Sequence, residues 1–441
     1  MNFQTITTIK QYIQLSNVKA LQIFQLFRQG AAILISIFLT KNLLSTEDIG
    51  IYEMLFYIGT TLSFFWVSGF LQGMLPLHPK LSETDKKRFL FNAYLLYLGL
   101  STSLFLILFF ARNWLVPALV GQLSLPYYNL FCFYLLFHLP SFLIEYIYLL
   151  NDRPKSIVLF GMAAFGGQVL LTILPLLLGW GLLWSFRLLL FLAMAKHVWL
   201  LLSLKNYALF QFNKNLLSEY IILSIPLVAY AFLGGFASFL DQWLVAWFFE
   251  GDEKVFAIFR YGARELPLAT AFTAALSAAL IPVLSKDLEK GIKEIKAKSL
   301  KLYHLLFPIA IVAILLSERI FPIVFNTDFR ESALVFNIYL LAVASRLLFP
   351  QSILIAKRET KIILIISIIE MLLNIFLSFI FIQKWGIAGV AYATVIVFLF
   401  EKIAQMTYLY IKYKISIQTY TNVKYFIAYS ILLFLVFVFT L

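Results

Sequence analysis

"FRYGARELPL", residues 259–268, sits inside an otherwise apolar run from Val255 to Leu284 that is long enough to cross a bilayer, yet it carries Arg260, Arg264 and Glu265. On an insertion scale an arginine at a helix centre costs about 2.5–3.5 kcal/mol, so each one needs a partner, a wet cavity or a ligand. Which of these applies depends on what the rest of the chain is.

The rest is membrane. The chain has 441 residues, 62% of them hydrophobic and 13% charged, with a mean hydropathy of +0.90, well beyond the make-up of a soluble domain. Apolar runs recur from Lys19 to the last residue and leave no stretch for a soluble domain of ordinary size. We read all-α spans at 19–40, 49–75, 89–111, 127–150, 156–179, 181–204, 219–248, 255–284, 301–325, 331–356, 361–383, 386–411 and 424–440. That is a polytopic protein of thirteen helices, or twelve without the last. The first apolar run is too long for a cleavable signal peptide and is expected to stay as a helix.

The net charge of +13 points away from nucleic acid, because its placement follows topology. Every second loop is basic, from Lys80, Lys86, Lys87 and Arg88 to Lys412, Lys414 and Lys424, whereas the intervening loops are poor in Lys and Arg or acidic, as in "EGDEK" at 250–254. The positive-inside rule then places the amino terminus in the cytoplasm. One cysteine, Cys132, falls in an apolar run, which rules out an intramolecular disulfide and a cysteine-based metal site.

A slide of 206 residues puts Glu47 on Glu253, Pro76 on Pro282 and Lys80 on Lys286. Spans 1 and 2 fall on spans 7 and 8, which implies parallel repeats with a site between them near mid-membrane. The expected organisation is an N-terminal lobe over residues 1–204, a cytoplasmic connector at 205–218, a C-terminal lobe over 219–411 and an extra span within 412–441. Prolines inside spans, at Pro140, Pro175, Pro226, Pro267, Pro308 and Pro350, are candidate kinks.

Depth sorts the charges inside spans. Lys196, Lys402 and Arg187 lie near span ends, where long side chains can snorkel to the headgroups. Arg28 is nine residues from the cytoplasmic end of span 1, about 13 Å at the helical rise; Arg264 and Arg346 lie comparably deep. Arg260 and Arg264, four apart, are expected on one helix face, with Glu265 rotated away from Arg264. An ion pair of Arg260 with Asp241 is expected, as is one of Glu370 with Lys402. Arg28, Arg264 and Arg346 have no acid at their own depth. The expected arrangement is therefore a solvated central cavity in which Arg28, Arg260, Arg264 and Arg346 hold a multiply anionic group, phosphate above all, since guanidinium offers planar paired donors and stays charged. Asp241, Glu265 and Glu370 are the candidates for structural pairing or for a coupling ion, Na+ or H+. His138 and His197 read as packing residues. No catalytic residues, metal site or cofactor are expected: no Walker-type loop or hydrolytic site is visible.

The junction "LTKNLLSTEDIGIYEMLFYIG" (39–59) resembles that between the first two spans of the polysaccharide-export flippases of the multidrug/oligosaccharidyl-lipid/polysaccharide (MOP) transporter superfamily. "ALSAALIPVLSK" (275–286) and "WGIAGVAYATVIVFLFE" (385–401) resemble the ends of its later spans. The second repeat departs from the pattern, with Phe256 and Ile258 where the family commonly has Gly and Tyr. The resemblance implies a MATE-like pair of six-helix lobes in the bacterial cytoplasmic membrane. It implies as cargo an undecaprenyl-diphosphate-linked oligosaccharide, an O-antigen, capsule or exopolysaccharide repeat unit, flipped to the outer leaflet. Membrane lipids and other polysaccharide-assembly proteins are the partners such a task implies; nucleic acid is not. The alternatives are an ion-coupled drug or metabolite antiporter of the same fold and, less in keeping with the short outer loops, a membrane glycan polymerase or glycosyltransferase.

Overall fold

The computed structural model describes residues 16–41, 43–264 and 266–441. Among them there is no strand, and the helices fall where the apolar runs predict. The chain divides into two units, Met1–Phe236 and Ala237–Leu441; the division lies inside a helix, further along than the polar connector at 205–218. The first unit holds α1 (Asn17–Thr40), α2 (Thr46–Leu77), α3 (Glu83–Phe110), α4 (Arg112–Val120), α5 (Tyr128–His138), α6 (Leu143–Leu150), α7 (Pro154–Leu177), α8 (Leu182–Tyr207) and most of α9 (Lys214–Phe248). The second holds the end of α9, then α10 (Glu253–Gly262), α11 (Pro267–Lys286), α12 (Leu288–Val324), α13 (Arg330–Leu340), α14 (Ala342–Arg346), α15 (Pro350–Ala356), α16 (Thr360–Tyr413), α17 (Ile417–Tyr420) and α18 (Val423–Phe439).

Nine helices of the described residues are long and apolar enough to cross a membrane, and Thr327–Arg346 with Pro350–Ala356, bent by 43°, makes a tenth. The remaining expected spans are accounted for by breaks and one short helix. α16 runs for 54 residues through a non-helical Gly386 (φ 56°, ψ −139°), so spans 11 and 12 lie on either side of that glycine. Span 8 is split into α10 and α11, and α18 has 17 residues.

Helix starts are written in the sequence. Ser45, Ser82, Asp252 and Asp287 each accept a backbone N–H three residues on, at 2.8–3.2 Å, which satisfies a donor that the first turn leaves open. α2 and α10 begin at Thr46 and Glu253, within one residue of the 206-residue offset, and both carry acids in the first turn. The prolines divide into two groups. Pro267 and Pro350 open helices, and Pro140 sits in a 3-10 turn between α5 and α6; Pro175, Pro226 and Pro308 lie inside unbroken helices.

In the first unit, α2 meets α9 across Gly69 and Gly73. A Cβ on Gly69 would stand 2.5 Å from the Val228 backbone, and one on Gly73 2.0 Å from Ser224 Oγ. Small residues four apart let two backbones approach where lipid offers no hydrophobic push. The Tyr220 hydroxyl, fully buried, donates to the Phe70 carbonyl at 2.7 Å along the same seam. α1 lies against α7, with Phe24 between the Phe160 and Phe165 rings. In the second unit α12 is the spine: Tyr303, Phe307, Ala310 and Ile314 are buried in one cluster with Leu433 and Phe437 of α18, and Phe307 stacks on Tyr429 at 5.3 Å. Cys132 is buried on α5.

Candidate functional site

The first unit contains a cavity of about 400 Å³. α1 contributes Gln25 and Arg28, three apart and so on one face. α2 contributes a stripe at helical spacing, Phe56, Thr60, Ser63, Phe64 and Val67 with neighbours, in which Gly59 matters most: a Cβ there would meet the Phe131 ring at 2.9 Å, so glycine sets how closely α5 approaches. The far wall is Tyr134 and His138 of α5, the 3-10 turn, and Glu145 and Tyr146 of α6. Arg28 is exposed, whereas Glu145 is 7% exposed. The Arg28 charge acts directly on the Glu145 carboxylate, so the expectation that Arg28 lacks an acid at its depth is corrected.

Two residues of this wall read differently in the sequence. Lys196 does not snorkel. It is buried on α8 at 8% exposure, and its Nζ stands 2.7 Å from His138 Nδ1. His138 is held flat against Tyr134, with ring centroids 4.7 Å apart, and lines the cavity rather than merely packing. Arg187 is exposed, with its guanidinium 4.8 Å from the centroid of the Trp184 ring.

The second unit treats its charges differently. α10 ends at Gly262, so Arg264 lies in the non-helical stretch before α11 and does not share a helix face with Arg260, against expectation. Arg264 lies over the Tyr261 ring at 4.8 Å. Arg260 donates to Gln242 rather than to Asp241. Arg346 lies 4.5 Å from the Phe398 ring and lines a second cavity of about 400 Å³ with Thr270, Thr273, Ser277, Gln351, Ser352 and Lys402. Lys402 does not snorkel either: it is 6% exposed and pairs at 2.7 Å with its neighbour Glu401, not with Glu370. Glu370 is half-buried on α16 in the field of Glu401, Lys402 and Arg346. Glu265 lies outside the described residues.

Asp241 is 2% exposed, and among the described residues no cation lies against it. Its Oδ2 accepts from Tyr339 at 2.9 Å and from Thr394 Oγ1 at 2.7 Å, and Thr394 in turn accepts from Asn374 Nδ2 at 3.1 Å. Asp241 Oδ1, Asn374 Oδ1 and, one turn further along α16, Ser378 Oγ are buried without a hydrogen-bond partner. Unsatisfied buried oxygens are costly, and a carboxylate among neutral donors can be completed by a proton or by a hard cation. Among the described residues no group of three His, Cys, Asp or Glu side chains is placed to hold a metal ion; the donor set here is oxygen from one acid, an amide and hydroxyls.

A multi-pass all-α chain with this helix order has the fold of the MOP superfamily transporters. The match to a lipid II flippase MurJ in its inward closed conformation has a TM-score of 0.70 at 17% identity and covers 94% of this chain and 91% of that one. The inward-facing form of a multidrug resistance MATE family transporter of the same superfamily matches at 0.62 and 14%, over 90% and 98%. A MOP transporter from Pyrococcus furiosus matches at 0.55 and 14%, over 90% and 96%. No curated protein matches in sequence. The family described as lipid II flippase MurJ matches residues 153–441, and the chain belongs to that family. It is one of flippases, which are transporters and not enzymes, and it is a different member of the superfamily from the polysaccharide-export flippases that the junction motifs resemble.

Proposed function

We propose that this chain carries a polyprenyl-diphosphate-linked saccharide from the inner to the outer leaflet of the bacterial cytoplasmic membrane, with its amino terminus in the cytoplasm. The observation that carries the reading is Arg28, an exposed guanidinium in the lining of a cavity of the first unit. A guanidinium there suits a phosphoryl group, because its planar donors match phosphate oxygens and it keeps its charge. Arg260, Arg264 and Arg346 are the further candidates for the same diphosphate. The family supports lipid II as the cargo. A second reading, a polysaccharide repeat unit on the same lipid carrier, has one observation in its favour: the family match begins at residue 153, so the Arg28 cavity and the 39–59 junction lie outside it.

Asp241 is the proposed seat of the coupling ion, Na+ or H+, because its free Oδ1 and those of its neighbours leave an oxygen cage incomplete. Reconstitution in liposomes with lipid II and with a lipid-linked repeat unit tests the whole reading. Transport of one of them that falls on Arg28→Ala supports it. Transport of neither, or equal rates in the variant, overturns it.

A further inference from the structure

The Lys196–His138 contact fixes which way the imidazole faces chemically. With Lys196 protonated, its ammonium has no lone pair and donates to Nδ1 at 2.7 Å. The neutral ring then carries its proton on Nε2. The one hydrogen bond of the imidazole seen among the described residues is that at Nδ1, and the ring lines the cavity that holds Arg28. The Lys196 contact sets the ring edge, since a half-turn that keeps the stack on Tyr134 would take Nδ1 away from the Lys196 Nζ. The only acid among the described lining residues is Glu145, on which Arg28 acts.

A buried ammonium with no acid against it is expensive to retain, yet it sits one imidazole away from the cavity rather than at a lipid-facing end. From this geometry we infer that His138 is a second anion-binding donor, with Lys196 as its positioning residue. Arg28 takes one phosphoryl group of a diphosphate, and His138 Nε2–H, polarised by the Lys196 charge behind it, takes the other. The inference rests on the proposed function and deepens it: this cavity tells a diphosphate from a monophosphate. A monophosphate engages Arg28 and leaves the His138 side unused, so the pair contributes only to the longer head group. Polarising one donor through another in a low-dielectric wall strengthens the outer hydrogen bond without placing a second full charge against Arg28.

The test uses purified full-length protein and two probes, undecaprenyl diphosphate and undecaprenyl phosphate, with affinities read by native mass spectrometry. Arg28→Ala weakens both. His138→Ala and Lys196→Met each lower the ratio of diphosphate to monophosphate affinity roughly tenfold, the loss of one charge-assisted hydrogen bond. His138→Gln, which keeps an N–H donor, restores most of that ratio. A merely structural role would weaken both probes together. An unchanged ratio in His138→Ala and Lys196→Met, with Arg28→Ala still weakening both probes, overturns the inference and leaves the proposed function standing. Wild-type affinities in Arg28→Ala overturn the proposed function and the inference with it. If Lys196→Met does not fold, His138→Ala alone decides by the same ratio.

Discussion

Both units have an arginine in the wall of a cavity of about 400 Å³, Arg28 in the first and Arg346 in the second, but they handle their buried acids differently. In the first, Arg28, Glu145 and the Lys196–His138 pair are gathered around one open space. In the second, the acid is walled in by neutral donors, Asp241 beneath Tyr339 and Thr394, while Lys402 is neutralised by the adjacent Glu401. An open space with cations in its wall suits a bulky anion, and a closed oxygen cage suits a small cation. The two units therefore carry two different chemistries.

Five substitutions would break or sharpen this contrast. The largest effect is expected for Arg28→Ala, which should reduce transport in reconstituted liposomes about thirtyfold, the scale of losing a hydrogen bond to a charged group. Next, Asp241→Asn should abolish any stabilisation of the protein by Na+ or by lowered pH in thermal unfolding. It should slow coupled transport about tenfold while leaving the affinity for undecaprenyl diphosphate alone. A variant that loses lipid affinity instead would erase the division of labour. Third, Gly69→Leu should cost about 1–3 kcal/mol by forcing α2 from α9, read as a lowered melting temperature, whereas Gly234→Ala, with no atom within 4 Å of the new Cβ, should cost nothing.

The smallest effect concerns the second unit's loop between α15 and α16. Glu359 accepts from Lys412 at 2.5 Å, from Tyr408 at 3.0 Å and from Tyr413, and the Lys412 hydrogen bond above all holds its carboxyl down to about 2. A depressed carboxyl contributes stability above its ordinary value of 4.5 and loses it as pH falls toward 2. Glu359→Gln should therefore lower the melting temperature slightly at neutral pH, and the difference should vanish over that acid range. A difference that persists at low pH would mean that the three donors hold the loop by shape alone.

Hydropathy made the span layout legible because it is local. The caps Ser45, Ser82 and Asp252 are equally local, but hydropathy does not register them, and the expected spans at 49, 89 and 255 begin inside the helices that start at Thr46, Glu83 and Glu253. The break in span 8 was also written in the chain: Gly262 and Pro267 flank it, and it is this break that takes Arg264 off the Arg260 face. What the sequence hid depends on partners far along the chain. Lys196 and His138 are 58 residues apart, and nearness to a span end is a poor guide when a neighbouring helix stands between the side chain and the headgroups. Asp241 finds Tyr339 and Thr394 98 and 153 residues away; matching depths pointed to Arg260, but equal depth says nothing about which face of α9 a residue occupies.

Cys132 has a practical consequence. The thiol is fully buried on α5, and it is the chain's one cysteine. A maleimide reagent added to the native protein should find almost nothing to modify, so new thiols placed singly or in pairs can carry fluorophores or spin labels against a silent background. Movement of each unit during a transport cycle can then be followed in a chain that is otherwise unaltered.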